Sequence, residues 1–354
     1  MNYDLGKKDI LVWHRLCAGV IFIAQHMLSS NQTLEKLRAK NLERIIKNLQ
    51  KNRLDEGLGG GKVVQVDRIK DLSEKEFVNN YIKNQIPVVF DGVALDWPCT
   101  KKWNVDYLLS KYSSEKFPIV TRIGLMEDTE AHDELGSKEF SETIRIDEFV
   151  NDLRTTGKKY MRFSPIMESK NELIDDMDQN WLRKMRQCFF GVSYQTFIGA
   201  KGKTTPLHGG ESTSFFSIVA EGEKTWDLIS ASYYPLINPN ADGYGYNYSK
   251  VDIENPDPEL FPGFSLIHRY RCTLKKGDVL YIPAWMWHQV KNEAESWTVS
   301  YRFTNIRGIL HQFVFVFIRI FFTEPSVLKT LYYSIFRVDL PNREDKLLTP
   351  RLFK

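Results

Sequence analysis

His208 and His288 are the side chains in this sequence best placed to do chemistry together. They lie in TTPLHGGESTSFF (204–216) and GDVLYIPAWMWHQV (277–290), two segments that read as facing strands of one small barrel. Two imidazoles and one carboxylate on a triangular face hold non-heme Fe(II) and leave three coordination positions for cosubstrate and oxygen. The carboxylate of such a set follows the first histidine by two residues, because alternate residues of a strand share a face. Here that position is Gly210. Glu211 comes one residue later and points to the opposite face. The pair Gly209-Gly210 admits a bulge that would swing Glu211 back toward a metal. Either histidine alone reads as a core residue; the pairing is what points to ligation.

The elements that must position this pair are strands. The C-terminal half carries CFFGVSYQTFIGA, SFFSIVAEGEKTWDLIS, FSLIHRYRCTLKKGDVLYIP and SWTVSYRFTN, short runs separated by Gly, Asn and Pro turns. That pattern predicts a barrel or two-sheet jelly roll. In WTVSYRF, Thr298, Ser300 and Arg302 alternate onto one face, so Arg302 can grip a cosubstrate carboxylate bidentately, reinforcing or replacing Lys224, or pair with an acid at the barrel rim. Trp285, Trp287, Tyr194, Phe215, Phe216 and Trp226 read as barrel core. The insertion 232–264, rich in Pro, Asn, Gly and Tyr, reads as an ordered loop across the barrel mouth.

Upstream, residues 31–53 predict an exposed charged helix, and GLGGGK (57–62) a linker, since it lacks the spacing of a phosphate loop. VVQVDRI reads as one short strand. Ser73 with Glu76 three residues on forms a capping box, and IPVVFDGV is a buried strand. Further elements expected are a strand at FPIVTRIG, a helix at IDEFVNDLRTT and a strand at KYMRFSPI.

A chain of 354 residues has room for one large domain with appendages. Its 42% hydrophobic and 26% charged content is that of a globular protein, and a net charge of +3 argues against nucleic acid as partner. The scattered cysteines Cys17, Cys99, Cys188 and Cys272 read as reduced thiols in a cytoplasmic setting, excluding a disulfide scaffold or zinc finger. The apolar run Leu16–Ala24 is too short to span a bilayer, and no cleavage site follows it. This run and 309–322 read as helices packed on the barrel or on a second subunit, with peripheral membrane contact as the alternative.

From about Val63 to Arg307 the chain resembles the JmjC/cupin-like Fe(II)- and 2-oxoglutarate-dependent oxygenases, in particular the asparaginyl hydroxylase branch. The text that carries the resemblance is PVVFDGVALDWPCTKKW, TPLH, NPDPELFPGF and GDVLYIPAWMWHQV. The resemblance implies a mainly β α+β fold, a double-stranded β-helix with N- and C-terminal helices. It divides the chain into a helical segment with Gly-rich linker (1–62), the barrel (63–307) and a C-terminal helical segment (308–354) that dimerises. It implies Fe(II) on His208 and His288, and 2-oxoglutarate as cosubstrate. Thr205 falls on a threonine that bonds the distal carboxylate of 2-oxoglutarate. Lys224 falls, within a one-residue offset, on the lysine that pairs with it. Ser214 and Ser300 stand where two asparagines would contact the cosubstrate.

Gly210 is where the sequence departs from that pattern, and three readings follow. It is similar to the first motif of radical halogenases, where glycine or alanine replaces the aspartate and chloride takes the vacated position; this is the preferred reading. A hydroxylase with Glu211 as third ligand is the second. A catalytically silent cupin that binds ligand or oligomerises is the third. The substrate expected is a small molecule, amino acid or peptide.

Overall fold

The computed structural model describes residues 5–6, 9–28, 32–120, 141–164, 166–187, 192–209, 213–239, 248–305 and 308. Two helices lead, α1 (Val12–Leu28) and α2 (Gln32–Asp55). The strands follow as β1 (Val63–Gln65), β2 (Asp67–Ile69), β3 (Val88–Phe90), β4 (Lys116–Val120) and β5 (Ser141–Arg145). Next are β6 (Tyr160–Ser164), β7 (Ser193–Gly199), β8 (Leu207–Gly209), β9 (Thr213–Glu221) and β10 (Glu223–Ile229). The last are β11 (Tyr248–Ser249), β12 (Arg269–Lys275), β13 (Val279–Ile282), β14 (Trp287–Asn292) and β15 (Ser296–Thr304).

They form two sheets, β1-β12-β10-β14-β8-β11 and β2-β3-β13-β9-β15-β7-β6-β4-β5. This is the jelly roll with flanking helices that the turn spacing predicts. The stretch VVQVDRI is two strands rather than one. Val63–Gln65 pairs in parallel with β12 and Asp67–Ile69 in parallel with β3, so the chain changes sheets at buried Val66. Alternation alone could not show this, because both halves read as the same pleated pattern.

The principal core contains side chains of both sheets, among them Phe216, Val219, Trp226, Leu274, Leu280 and Val299. Trp103, just past the short helix Pro98–Lys102, stacks on Trp297 of β15 with ring centroids 4.7 Å apart. Its indole Nε1 donates to Asp176 at 2.9 Å. The capping box expected at Ser73 forms, with the Glu76 N–H donating to Ser73 Oγ and Glu76 Oε2 accepting from the Ser73 N–H.

A second core joins Ile10, Phe22, Ile45 and Leu49 to Tyr233, Tyr234, Phe264 and Trp285. Thus α2 is not simply exposed: Ile45 and Leu49, four residues apart, share the face it buries. On that face Arg53 is 1% exposed, ion-paired to Asp9, and donates through Nε to the Leu266 carbonyl at 2.9 Å. Among the described residues no helix is long and apolar enough to cross a membrane. Cys17, Cys99 and Cys272 are free thiols; Cys188 and residues 309–354 lie outside the described residues.

The glycine-rich stretch before β1 is also more than a linker. A Cβ on Gly61 would stand 1.9 Å from the Ile267 carbonyl oxygen, while Gly61 N–H donates to Ser265 O at 2.8 Å. Gly61→Ala is therefore expected to cost more than about 2 kcal/mol. Gly59→Ala, with open space around it, should stay within about 0.5 kcal/mol. Urea denaturation of the two variants measures the difference.

Candidate functional site

Strands β8 and β14 run antiparallel with His208 directly opposite His288 and Gly209 opposite Trp287. Cross-strand partners project to the same side, and the two imidazole centroids lie 4.0 Å apart. The Nδ1 of His208 is 2.8 Å from the Pro206 carbonyl oxygen, and that of His288 is 3.1 Å from the Met286 carbonyl oxygen. A carbonyl only accepts, so each Nδ1 carries a proton, and in the neutral form of either ring Nε2 is the ligating atom. Burial holds His208 well below the usual imidazole range, and Arg162, Arg302 and any proton charge on His288 lower it further. Both features suit divalent-metal ligation, which needs neutral imidazoles of fixed tautomer.

The pair opens into a cleft of about 400 Å³, counting its mouth, between the two sheets. Thr205, His208, Lys224, His288, Ser300 and Arg302 all line it. Among its described lining residues there is no carboxylate, whereas Arg162, Lys224 and Arg302 are basic and each is at most 6% exposed. Lys224 stands opposite Asn292 on β14 while Leu228 stands opposite His288. The two positions are therefore roughly 13 Å apart along the strand.

Lys224 Nζ donates to Thr298 Oγ1 at 2.9 Å, and burial pushes the ammonium down to about 7. Thr205 Oγ1 accepts from the Val290 N–H at 2.9 Å. Nearer the histidines, the Arg302 guanidinium lies 5.0 Å from the centroid of the Phe215 ring, itself 5.7 Å from that of His288. The alternation expected on β15 is seen, since Thr298, Ser300 and Arg302 share the cavity face.

Ser214 departs from expectation. Its Oγ accepts from the Ala284 N–H at 3.2 Å, away from the cleft, and Ser217 lines the wall instead. On β9 the inward residues are Phe215 and Ser217, so the neighbouring parity, Ser214 and Phe216, faces the other way. Gly210 and Glu211 lie outside the described residues. Trp285, Trp287 and Phe216 are core as expected, but Phe215 and Trp226 also border the cleft.

The sequence reading missed Arg162 and Tyr160 on β6. Their signal was present: in KYMRFSPI, Tyr160 and Arg162 alternate onto one face of a buried strand, and a buried arginine on such a face calls for a reason. Part of the insertion joins the sheet. Its Tyr248–Ser249 pairs with β8, setting Tyr248 opposite His208 with ring centroids 5.9 Å apart.

Asp9, Glu56 and His268 form another group of metal-ligand type, within 4.8 Å of one another. It is an ion-pair cluster by chemistry. The Lys62 N–H donates to His268 Nδ1 at 2.8 Å, so the proton sits on Nε2, 3.2 Å from Glu56. No imidazole lone pair is left over, and Arg53 already supplies the cation to Asp9 and Glu56.

Compared with known proteins, residues 73–308 match the cupin-like domain family. The chain is 28% identical over 240 residues to lysine-specific demethylase 8 of Xenopus tropicalis, covering 65% of this chain and 50% of that one. It is 28% identical over 255 residues to JmjC domain-containing protein D of Dictyostelium discoideum, covering 64% and 53%. It is 27% identical over 253 residues to tRNA wybutosine-synthesizing protein 5 of Gallus gallus, covering 65% and 74%. The match thus spans about half the length of the first two relatives.

Lys224 makes a measurable prediction. Its folded-state value of about 7 lies below the ordinary 10.5. Between these, unfolding takes up a proton, so stability rises with pH across the window and the full penalty is present below about 7. Lys224→Met should therefore stabilise the chain at pH 7 by on the order of 1–3 kcal/mol. The gain should shrink toward pH 10, as read by chemical denaturation of variant against parent.

Proposed function

The chain belongs to the cupin-like domain family, and from that premise we propose that it is an Fe(II)- and 2-oxoglutarate-dependent oxidoreductase acting on an unactivated C–H bond. The observation that carries the reading is one cleft with two tautomer-fixed imidazoles at one end and a buried lysine at the other. A five-carbon dicarboxylate fits that polarity: one carboxylate reaches the metal, the other reaches Lys224. No described acid lines the cleft to neutralise the ammonium in its place.

In this reading His208 and His288 hold iron through Nε2. Lys224, Thr298 and Thr205 take the distal carboxylate of 2-oxoglutarate, and Ser300 donates to the cosubstrate from the wall between. Phe215, Trp226 and Val290 exclude water from the same space. When bound, iron with 2-oxoglutarate supplies the activation of oxygen that C–H cleavage requires. Among the family's branches, TPLH and GDVLYIPAWMWHQV favour the asparaginyl hydroxylase one.

Halogenation is the preferred outcome because Gly210 carries no ligand and leaves a coordination position for chloride. Hydroxylation is the second, with Glu211 completing the triad. A near-neutral net charge favours a small molecule, amino acid or peptide over the tRNA named in one relative. The same reading has two copies associating through residues 308–354 in the cytoplasm. Exposed Leu11, Val12, Trp13 and Val20 would supply any membrane contact.

Anaerobic Fe(II) with 2-oxoglutarate should produce a visible charge-transfer band that His288→Ala abolishes. A parent protein with no band under saturating conditions would mark a silent binding module. Gly210→Asp is expected to tighten iron binding about tenfold or more and to end chloride incorporation. Halogenation undiminished in that variant would defeat the open-position reading. Glu211→Gln separates the remaining cases, since loss of iron affinity there identifies the hydroxylase arrangement.

A further inference from the structure

We propose that the outer face of α1 and α2 docks on an anionic lipid bilayer. Exposed apolar side chains around Trp13 enter the headgroup region, and a row of cations on α2 meets the lipid charges. The inference deepens the membrane contact named above and is independent of the iron and 2-oxoglutarate reading. Helix α1 carries no acidic residue, and Trp13, Leu16, Val20 and Ala24 recur at helical spacing along one side of it. Trp13 is 69% exposed and Val20 63%, and Leu11 and Val12 at the helix start are exposed too. A single exposed apolar side chain is ordinary, but several along one helix make a patch, and an indole suits the bilayer interface.

Helix α2 supplies the charge. Lys36, Lys40, Arg44, Lys47 and Lys51 are all exposed and follow one another four, four, three and four residues apart. At about 100° per residue they fall within roughly 80° of arc, one row along the helix. Glu43 is the acid beside this row, and Lys47 holds it at 2.7 Å. That hydrogen bond, with the fields of Arg44 and Lys40 added, keeps Glu43 below the usual carboxylate range, so these cations stand together. Among the described residues, Lys36, Lys40, Arg44 and Lys51 form no ion pair.

Contacts between the helices place the patch and the row on one surface. His14 bonds Asn41, Gln25 bonds Glu35, and the Asp9 carbonyl before α1 accepts from Asn52 near the end of α2. The helices therefore lie antiparallel and side by side, with Trp13 level with the stretch of α2 between Lys40 and Lys47. Phe22 of α1 and Ile45 and Leu49 of α2 enter one core, so the two outer sides face away from it together. A bilayer is the occupant that uses both features. RNA would use the cations and leave the aliphatic side chains in water. A second copy of this chain docked isologously would bring both cation rows onto one interface. Since no described helix is long and apolar enough to cross a membrane, the pair lies in the interface plane. Leu207 and Trp287, chain neighbours of His208 and His288, share the core of α1 and α2, so the cleft is carried on the docked layer.

The test mixes full-length protein with phosphatidylcholine vesicles, and with vesicles that add phosphatidylserine, and reads binding by sedimentation. The phosphatidylserine vesicles should bind at least about tenfold more tightly, a preference that fades at high salt. Lys40→Gln, Arg44→Gln and Lys51→Gln combined should weaken that binding about thirtyfold or more. Trp13→Ser with Val20→Ser should weaken it about tenfold or more and remove the quenching of tryptophan fluorescence by brominated acyl chains. All five side chains are exposed, so thermal melting and the charge-transfer band with Fe(II) and 2-oxoglutarate should match the parent. Equal binding to the two vesicle types, binding to neither, or binding that survives the glutamine variant would overturn the inference. So would a tRNA probe that binds through the cation row more tightly than vesicles do, or a dimer lost on Trp13→Ser, which gives the face to a second copy. A missing charge-transfer band with vesicle binding intact would count against the oxidoreductase reading alone.

Discussion

One register holds the site together: His208 facing His288 across β8 and β14. Side chains in a strand alternate, so a slip of one residue would send one imidazole into the cleft and the other out of it. Three features pin the register. Strand β14 is fixed on its other side by β10, with Leu228 opposite His288. The Thr205 hydroxyl takes the Val290 N–H, and Thr205 N–H donates to the Val290 carbonyl at 2.8 Å. Trp287 packs against Gly209, where a Cβ would come within 3.1 Å of the indole. The glycine beside the first histidine therefore has a packing reason, independent of what its successor at 210 does for a metal.

Two histidine environments in one chain show how a backbone contact decides chemistry. His208 and His288 each turn Nδ1 to a carbonyl two residues before them, which makes Nε2 the nitrogen for ligation. His268 turns Nδ1 to an amide N–H and uses Nε2 on Glu56, which closes both nitrogens. The first arrangement is set by strand geometry and serves ligation. The second ties the start of β1 to the helical layer, alongside buried Arg53. A cluster of ligand-type residues is thus less informative than the direction in which each lone pair points.

Much of the barrel was legible in the sequence. The histidine motifs, the alternation of Thr298, Ser300 and Arg302, and the Ser73 cap depend on local spacing, and local spacing survives folding. What failed depends on which face the three-dimensional neighbours cover. Ser214 sits one residue from the cavity-facing parity of β9, and nothing in SFFSIVAE says which parity faces in, because nearly every position is buried. Helix α2 looks exposed because its charges outnumber its apolar residues. It nonetheless lays Ile45 and Leu49 on Tyr233 and Phe264, residues some two hundred positions away. The sheet change at Val66 is invisible for the same reason: the partners β12 and β3 are distant in sequence.

The glycine at 210 and the buried lysine of the wall belong to one electrostatic argument. An aspartate ligand would add a negative charge within a few ångströms of His208, where Coulomb interactions in a partly desolvated site are several-fold stronger than in water. With glycine there, the described wall carries three basic side chains and no acid. Burying Lys224 is costly to folding, since its ammonium is desolvated and pushed down to about 7. An anion arriving at that end of the cleft would turn part of this folding cost into binding energy.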